Sequence, residues 1–326
     1  MTRRYLHREP GMSRFLGLVG IFTSATAMVL LADGPATLGV GWEIMGLCSV
    51  GLIGFFHQRP EPIAAAIRMA GLNHIADVGL LIAIAVSSHG RATWASLEAS
   101  GSGAHGAALS VGIVLAFSIK SAQWPWSSWP AQAMEGPTPS SALFYGALSI
   151  HAGVWLLLRS SAGLQAQGWP LAVIVALGTV TALMGGRVAV QRADAKGAVA
   201  WATVTQVGWL AVLVGVGLYW VPAVAMLAHS GLRAWEILKA PGTLHDRLSD
   251  REALSRAGMG RGLQRAVPER FAAVVAAAAA GPDQRAIEWL ARTSAKWVQD
   301  SRRRWARSVP HVSTGQWHAV KDDDEL

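Results

Sequence analysis

Apolar residues are concentrated in eight stretches, each close to the length of about 20 residues that a helix needs to cross a bilayer. The stretches cover residues 14–32, 36–56, 67–88, 105–121, 140–158, 169–189, 197–217 and 220–239. Several are rich in glycine and alanine, which lets helices pack closely in lipid. The fourth and the eighth carry charged residues. The pattern predicts an all-α fold, a polytopic transmembrane helix bundle of about eight spans with one broken helix.

The composition supports a membrane protein. The chain is 52% hydrophobic and 15% charged, whereas about 25% of residues are charged in soluble domains. The single cysteine, Cys48, excludes an intrachain disulfide and a cysteine metal cluster. The start is basic and runs into the first apolar stretch without a small-residue cleavage motif, so we expect that span to be retained.

Positive charges between the stretches predict the orientation of the bundle. If the N-terminus is cytoplasmic, ten basic residues fall on the cytoplasmic side and only Arg91 and Arg159 on the other side. The ten are Arg3, Arg4, Arg8, Arg14, Arg59, Arg68, Arg187, Arg192, Lys196 and Lys239. This bias places both termini in the cytoplasm, and we expect a multi-pass protein of a bacterial inner membrane. It also explains the net charge of +8 without nucleic-acid binding.

The composition becomes polar after residue 240. This change divides the chain into a transmembrane domain, 1–240, and a polar tail, 241–326. The tail holds 14 of the 28 Lys and Arg residues and 11 of the 20 Asp and Glu residues. Within 285–307, apolar residues recur at helical spacing among arginines. This pattern predicts a basic amphipathic helix that lies on the membrane or against an acidic partner. A solvated helix with a few tryptophans is the alternative.

Residues 120–159 hold an ionisable side chain beside a run of helix breakers. Lys120 ends the fourth apolar stretch, and Pro125, Pro130, Pro137 and Pro139 follow it. Proline removes a backbone donor and interrupts a helix, and broken helices carrying charged groups build the ion sites of transporters. The alternative is that Lys120 extends to the membrane interface and that the prolines form an ordinary loop.

Three motifs carry a family resemblance. They are KSAQWPWSSWPAQAMEGPTPSSAL from residue 120, GWEIMGLCSVGLIGFF from residue 41 and DAKGAVAWATVTQVGWL from residue 194. Together they resemble the proton-translocating, antiporter-like subunits of NADH-quinone oxidoreductase, of the subunit 5 or chain L type. The same core occurs in multisubunit cation/proton antiporters and in an inorganic-carbon uptake system. The resemblance covers about residues 14–245 and implies two inverted five-helix repeats, of which the second is matched only in part.

The resemblance implies roles for residues in the first repeat. Glu43 matches the family's glutamate, which lies beside the broken-helix lysine, here Lys120. A static ion pair that fixes helix packing is the alternative role. Asp77 and His74 lie three residues apart and therefore face one side of the third span. The family has an arginine at the position of His74. We expect His74 either to relay protons or to be a neutral core residue bonded to Asp77.

Further candidates follow in the second part of the chain. The family's connecting histidine is Tyr145 here, and His151 is a possible substitute on a different helix face. Lys196 matches a family lysine, with a structural anchor as the alternative. His229 and Arg233 match a family histidine and lysine four residues apart. Arginine keeps its proton under almost all conditions, so Arg233 cannot accept one.

These observations predict a membrane subunit that translocates protons or cations within a larger complex. A membrane component of an inorganic-carbon (CO2 or bicarbonate) uptake complex is the first alternative, in which the tail binds a cytoplasmic zinc-containing partner. A non-transporting membrane scaffold is the second. No nucleotide loop, flavin fingerprint or cysteine–iron pattern occurs in the sequence, and its histidines are scattered. We therefore expect no cofactor, no zinc site and no catalytic chemistry from this chain alone.

Overall fold

The computed structural model describes residues 11–87, 93–147 and 149–239. The tail with its amphipathic helix, Arg91 and the basic residues before position 11 lie outside this part of the chain. The division at residue 240 therefore stays a prediction, as does the orientation of the termini.

Six helices in the described residues are long and apolar enough to cross a membrane. They are α1 (Met12–Leu30), α2 (Pro35–Ile53), α3 (Pro60–Ser87), α5 (Gly103–Lys120), α10 (Trp169–Gln191) and α11 (Ala195–Gly215). A short α4 (Trp94–Ala99) precedes α5 and is capped by Thr93. The six confirm the predicted spans at these positions and the membrane-helix fold class.

The eighth predicted span is also a helix, α12 (Trp220–Lys239), but it is not among the six that are apolar enough. Its buried residues include His229 and Arg233, so part of its polar content faces the protein. The position of the helix was therefore predicted correctly, although its amphipathic character makes it unlike the other spans.

The span predicted over 140–158 is helical but is not one continuous helix. The chain instead forms α7 (Thr138–Ser141), a π-helical turn (Ala142–Ala147), an irregular turn, α8 (Ala152–Arg159) and α9 (Ser161–Gln165). At the irregular turn the Ile150 N–H donates to the Phe144 carbonyl at 3.3 Å, six positions back rather than the four of an α-helix. The bundle thus has a second break that apolar content alone did not indicate.

The predicted break at Lys120 is confirmed. The helix α5 ends at this residue, and Ala122 takes a left-handed conformation with φ of 51°. The carbonyls freed at the helix end are satisfied locally, since Trp129 Nε1 donates to Ile119 O at 2.9 Å. The chain then forms α6 (Trp129–Gln132) and a 3₁₀ turn (Ala133–Glu135) before it reaches α7.

The two breaks lie against each other. Ser121 Oγ, directly after the first break, donates to the Ile150 carbonyl in the second at 2.7 Å. Gly153 makes this contact possible, because a Cβ there would lie 2.4 Å from Ser121 Oγ and 2.9 Å from the Phe117 carbonyl. The position after Lys120 and the position before His151 are therefore joined directly.

Glycines bring two helix pairs into backbone contact. Between α3 and α5, a Cβ on Gly79 would lie 2.6 Å from the Gly112 carbonyl. Between α10 and α11, a Cβ on Gly178 would lie 2.6 Å from the Gly208 carbonyl. Small residues at such crossings permit close van der Waals packing, which drives helix association in lipid. Large apolar side chains such as Leu81 point outward, as expected of a surface that meets hydrocarbon.

Candidate ion-translocation site

The Lys120 ammonium is enclosed by protein at the end of α5, with 1% of the residue exposed. Its Nζ donates to Asn73 Oδ1 at 3.4 Å and lies 4.7 Å from the centre of the Trp42 ring, an arrangement that attracts a cation. Gly46 leaves space for these groups, since a Cβ there would lie 3.6 Å from Nζ. The ammonium is thus buried among weak partners.

Two carboxylates act on Lys120 from α2 and α3 without touching it. Among the described residues, no ion pair within 4.0 Å joins Lys120 to Glu43 or Asp77. Both carboxylates attract the ammonium. The resemblance implied Glu43 as the partner of Lys120, and Asp77 lies in the same cluster as Glu43. Trp42 Nε1 donates to Asp77 Oδ1 at 3.0 Å and orients that carboxylate.

His74 lies at the outer edge of this cluster. Its Nδ1 is 3.6 Å from Asp77 Oδ2, and 70% of its side chain is exposed while that of Asp77 is 11% exposed. His74 therefore lies beside Asp77, as the alternative interpretation expected, but it is not in the core of the described chain. Asp77 Oδ2 is buried, and the carboxyl groups of Asp77 and Glu43 lie close enough to share a hydrogen bond.

A second cluster of polar groups connects the later break to α12. His151 Nε2 lies 2.9 Å from His229 Nδ1, and Arg233 Nε donates to His229 Nε2 at 3.2 Å. Arg233 also donates to Gln206 Oε1 on α11, at 3.0 Å from Nε and 2.8 Å from Nη2. Its Nη1 pairs with Glu236. A continuous line of hydrogen-bonding groups thus runs from His151 to Glu236.

Lys196 begins α11 and is directed at the broken segment. Its Nζ donates to Thr138 Oγ1 at 2.8 Å, and only 8% of the residue is exposed. Asp194 caps the same helix end by accepting from the Gly197 N–H at 2.6 Å. The structure therefore places this lysine inside the protein, next to the first residue of α7, rather than at an exposed helix end.

The predicted site residues fall into three groups. Glu43, His74, Asp77 and Lys120 come together around α2, α3 and α5, while His151, His229 and Arg233 form a second group and Lys196 a third. The sequence reasoning missed Trp42, Asn73 and Gln206, which supply the neutral contacts. Asn73 and Gln206 could have been found as amides within otherwise apolar runs, because a buried amide in a membrane span needs a partner.

Comparison with known proteins identifies the family of this chain. Residues 36–277 match the family described as "NADH:quinone oxidoreductase/Mrp antiporter, TM". The chain is 32% identical over 275 residues to NADH-quinone oxidoreductase subunit L of Mycobacterium tuberculosis, covering 82% of this chain and 43% of that protein. It is 31% identical to NAD(P)H-quinone oxidoreductase chain 5 of Synechocystis, covering 75% of this chain and 37% of that protein.

A solved structure shares the fold. The Mrp complex from Dietzia contains a chain that superposes with a TM-score of 0.63 at 30% sequence identity, covering 68% of this chain and 25% of that one. The present chain therefore spans less than half the length of these relatives, which are subunits of multi-subunit membrane complexes. The protein belongs to the NADH:quinone oxidoreductase/Mrp antiporter transmembrane family.

Proposed function

We propose that this protein is a membrane subunit of a larger complex and that it translocates protons or cations, with Lys120 as the central ionisable group. The observation that carries the proposal is the burial of Lys120 at a helix break with one long hydrogen bond, at 3.4 Å, and no close ion pair among the described residues. A buried charge is costly unless it is paired, so an ammonium held this loosely is suited to losing and regaining its proton.

The remaining groups suggest a route. Glu43 and Asp77 stabilise the charged state of Lys120 from one side, and both line a mostly apolar cavity of about 490 Å³. The Ser121–Ile150 contact joins Lys120 to the break that holds His151. From there His229 continues the line, and histidine can pass a proton between its two ring nitrogens. Arg233 supplies a fixed positive charge at the end, and Lys196 approaches the same segment through Thr138.

The decisive test is ion flux in vesicles containing the complex with Lys120→Ala. The substitution removes the proton-carrying group, and we expect flux to fall to background while the amount of protein in the membrane is maintained. Lys239→Ala is the matched control, because Lys239 is exposed at the end of α12 and contacts only Trp235 in the described structure. Full flux in Lys120→Ala would rule out translocation through this residue and favour a scaffold.

We also propose that both termini are cytoplasmic. The ten-to-two distribution of basic residues supports this orientation. Reporter fusions at each end should give a cytoplasmic signal, and a periplasmic signal from either end would contradict it.

A second candidate function is coupling of ion flow to inorganic-carbon uptake through a cytoplasmic zinc-containing partner bound by the tail. The basic amphipathic pattern of 285–307 supports a docking role. Deletion of residues 280–326 should then release a co-purifying protein that contains zinc. Unchanged assembly and activity after the deletion would exclude this role for the tail.

A further inference from the structure

We infer that Asn73 is a positioning residue, which holds the Lys120 ammonium out of close ion pairs with Asp77 and Glu43. The inference rests on the proposed function, in which this separation lets the ammonium release its proton. Asn73 lies near the middle of α3, is 4% exposed and is the only asparagine in the sequence. Its amide does not itself accept a proton near neutral pH, so it acts only through Lys120.

The amide of Asn73 is fixed by the neighbouring helix α2. Its Nδ2 donates to the Gly46 carbonyl at 3.3 Å, and its Oδ1 accepts from Lys120 Nζ at 3.4 Å. Gly46 leaves room for both groups, since a Cβ there would lie 3.2 Å from Asn73 Nδ2 and 3.6 Å from Lys120 Nζ. Because its amino group is bound to α2, Asn73 presents an acceptor to Lys120.

An amide acceptor suits both forms of the lysine. The ammonium and the neutral amine both carry N–H groups, so either form can donate to Asn73 Oδ1. The carboxylates of Asp77 and Glu43 differ from the amide, because they attract the ammonium and lose that attraction once the proton leaves. Asn73 can therefore keep the Lys120 side chain in one place while its proton is lost and regained.

The two carboxyl groups have partners other than Lys120. Asp77 lies four residues after Asn73 on α3, so the two side chains project from the same face of the helix. Trp42 Nε1 donates to Asp77 Oδ1 at 3.0 Å, and the carboxyl groups of Asp77 and Glu43 lie close enough to share a hydrogen bond. Within the described part of the chain, no ion pair of 4.0 Å or less joins either of them to Lys120.

The distance between these charges is important, because their attraction rises as they approach and is strongest in a dry interior. An ammonium in a close ion pair holds its proton more tightly than one that is attracted from a distance. Without Asn73, we expect the Lys120 side chain to move to Asp77 or Glu43 and to remain charged there. Loss of this amide should then reduce ion flux, although every proton-carrying group is still present.

Flux in vesicles that contain the complex separates positioning from packing. Asn73→Leu removes the acceptor and keeps a similar volume, and it should lower flux at least about tenfold because the charge on Lys120 is retained. Adding Asp77→Asn or Glu43→Gln removes one carboxylate that would hold the charge, and at least one of these double variants should recover flux about threefold. Gln191→Leu, which removes an exposed amide at the end of α10, is the control and should keep full flux.

Asn73→Asp gives the opposite expectation for the same second substitution. It keeps the shape of the side chain but places a carboxylate against Lys120, so flux should be lost. Asp77→Asn should not restore flux in this background, although the number of carboxylates then equals that of the unmodified protein. Losses that simply add in all the double variants would indicate packing alone and would overturn the inference. Recovery in the combination of Asn73→Asp with Asp77→Asn would also overturn it, because the number of charges would then matter and their distance would not.

A measurement without flux separates this inference from the proposed function. Because the sequence contains a single asparagine, isotopic labelling of asparagine in this chain gives one side-chain amide signal in nuclear magnetic resonance spectra. Lys120→Met should shift that signal and Lys239→Met should leave it in place. An equal response in the two variants would overturn the inference. If the unmodified complex carries no flux, the proposed function fails, and this signal still decides whether Asn73 binds Lys120.

Discussion

Lys120 and Arg233 are both buried cations, yet their surroundings differ. Lys120 has one hydrogen bond at 3.4 Å and the face of Trp42. Arg233 donates twice to Gln206, once to His229 and once to Glu236. A group that alternates between charged and neutral forms cannot be fully satisfied in both, whereas a permanent charge can be. Under the proposed function, the difference teaches that an ion carrier is distinguished from a structural cation by the quality of its contacts rather than by burial alone.

The largest expected effect is a difference in the free energy of unfolding when each of the two cations is replaced by methionine. Arg233→Met leaves Gln206 and His229 without their donor inside the protein, and we expect a loss of about 1–3 kcal/mol in the free energy of unfolding. Lys120→Met removes a poorly satisfied charge and should be neutral or stabilising. Thermal unfolding in detergent, followed by fluorescence, measures both. A similar loss of unfolding free energy in both variants would show that the two cations do not differ in how well their contacts satisfy them.

The contact that joins the two breaks can be disrupted at Gly153. In Gly153→Ala the new methyl group would collide with Ser121 Oγ and the Phe117 carbonyl, so the free energy of unfolding should fall by about 1–3 kcal/mol. Gly231→Ala is the matched control, because a Cβ there meets nothing within 4 Å and alanine favours the helix by up to about 1 kcal/mol. A Gly153→Ala protein as stable as the control would mean that the breaks are not held together by this contact.

The smallest expected effect concerns Trp42. In Trp42→Phe the ring over Lys120 is kept, but the donor to Asp77 is lost, at a cost of about 0.5–1.5 kcal/mol. We expect a flux reduced several-fold and a fold that is retained. Trp209→Phe, on an exposed face of α11, should leave flux unchanged. Unchanged flux in both would show that the orientation of Asp77 is unimportant.

The local features were predictable because they depend on neighbours in the chain. Apolar runs located the spanning helices, and the prolines after Lys120 located its break. The second break was missed because 140–158 is mostly apolar and its π-helical turn has no proline or charged residue within it. The length of an apolar run indicates that a segment lies in the membrane, but it does not indicate whether the helix there is continuous.

The contacts of the site were less predictable. His151 and His229 are 78 positions apart, and only packing brings them within 2.9 Å. Residue type thus indicated which groups take part, and tertiary packing decided which of them meet.

The glycine crossings have a mechanical consequence. Because Gly79 lies against Gly112 and Gly178 against Gly208, sliding within either helix pair would drive backbone atoms together. We therefore expect each helix pair to move as a rigid body. The segments between α5 and α10 are then the ones that can deform. Under the proposed function, we expect a gating motion to occur in these segments, on the microsecond to millisecond scale. Spin labels on helices of different pairs should report a change in distance, whereas labels on the two helices of one pair should report none.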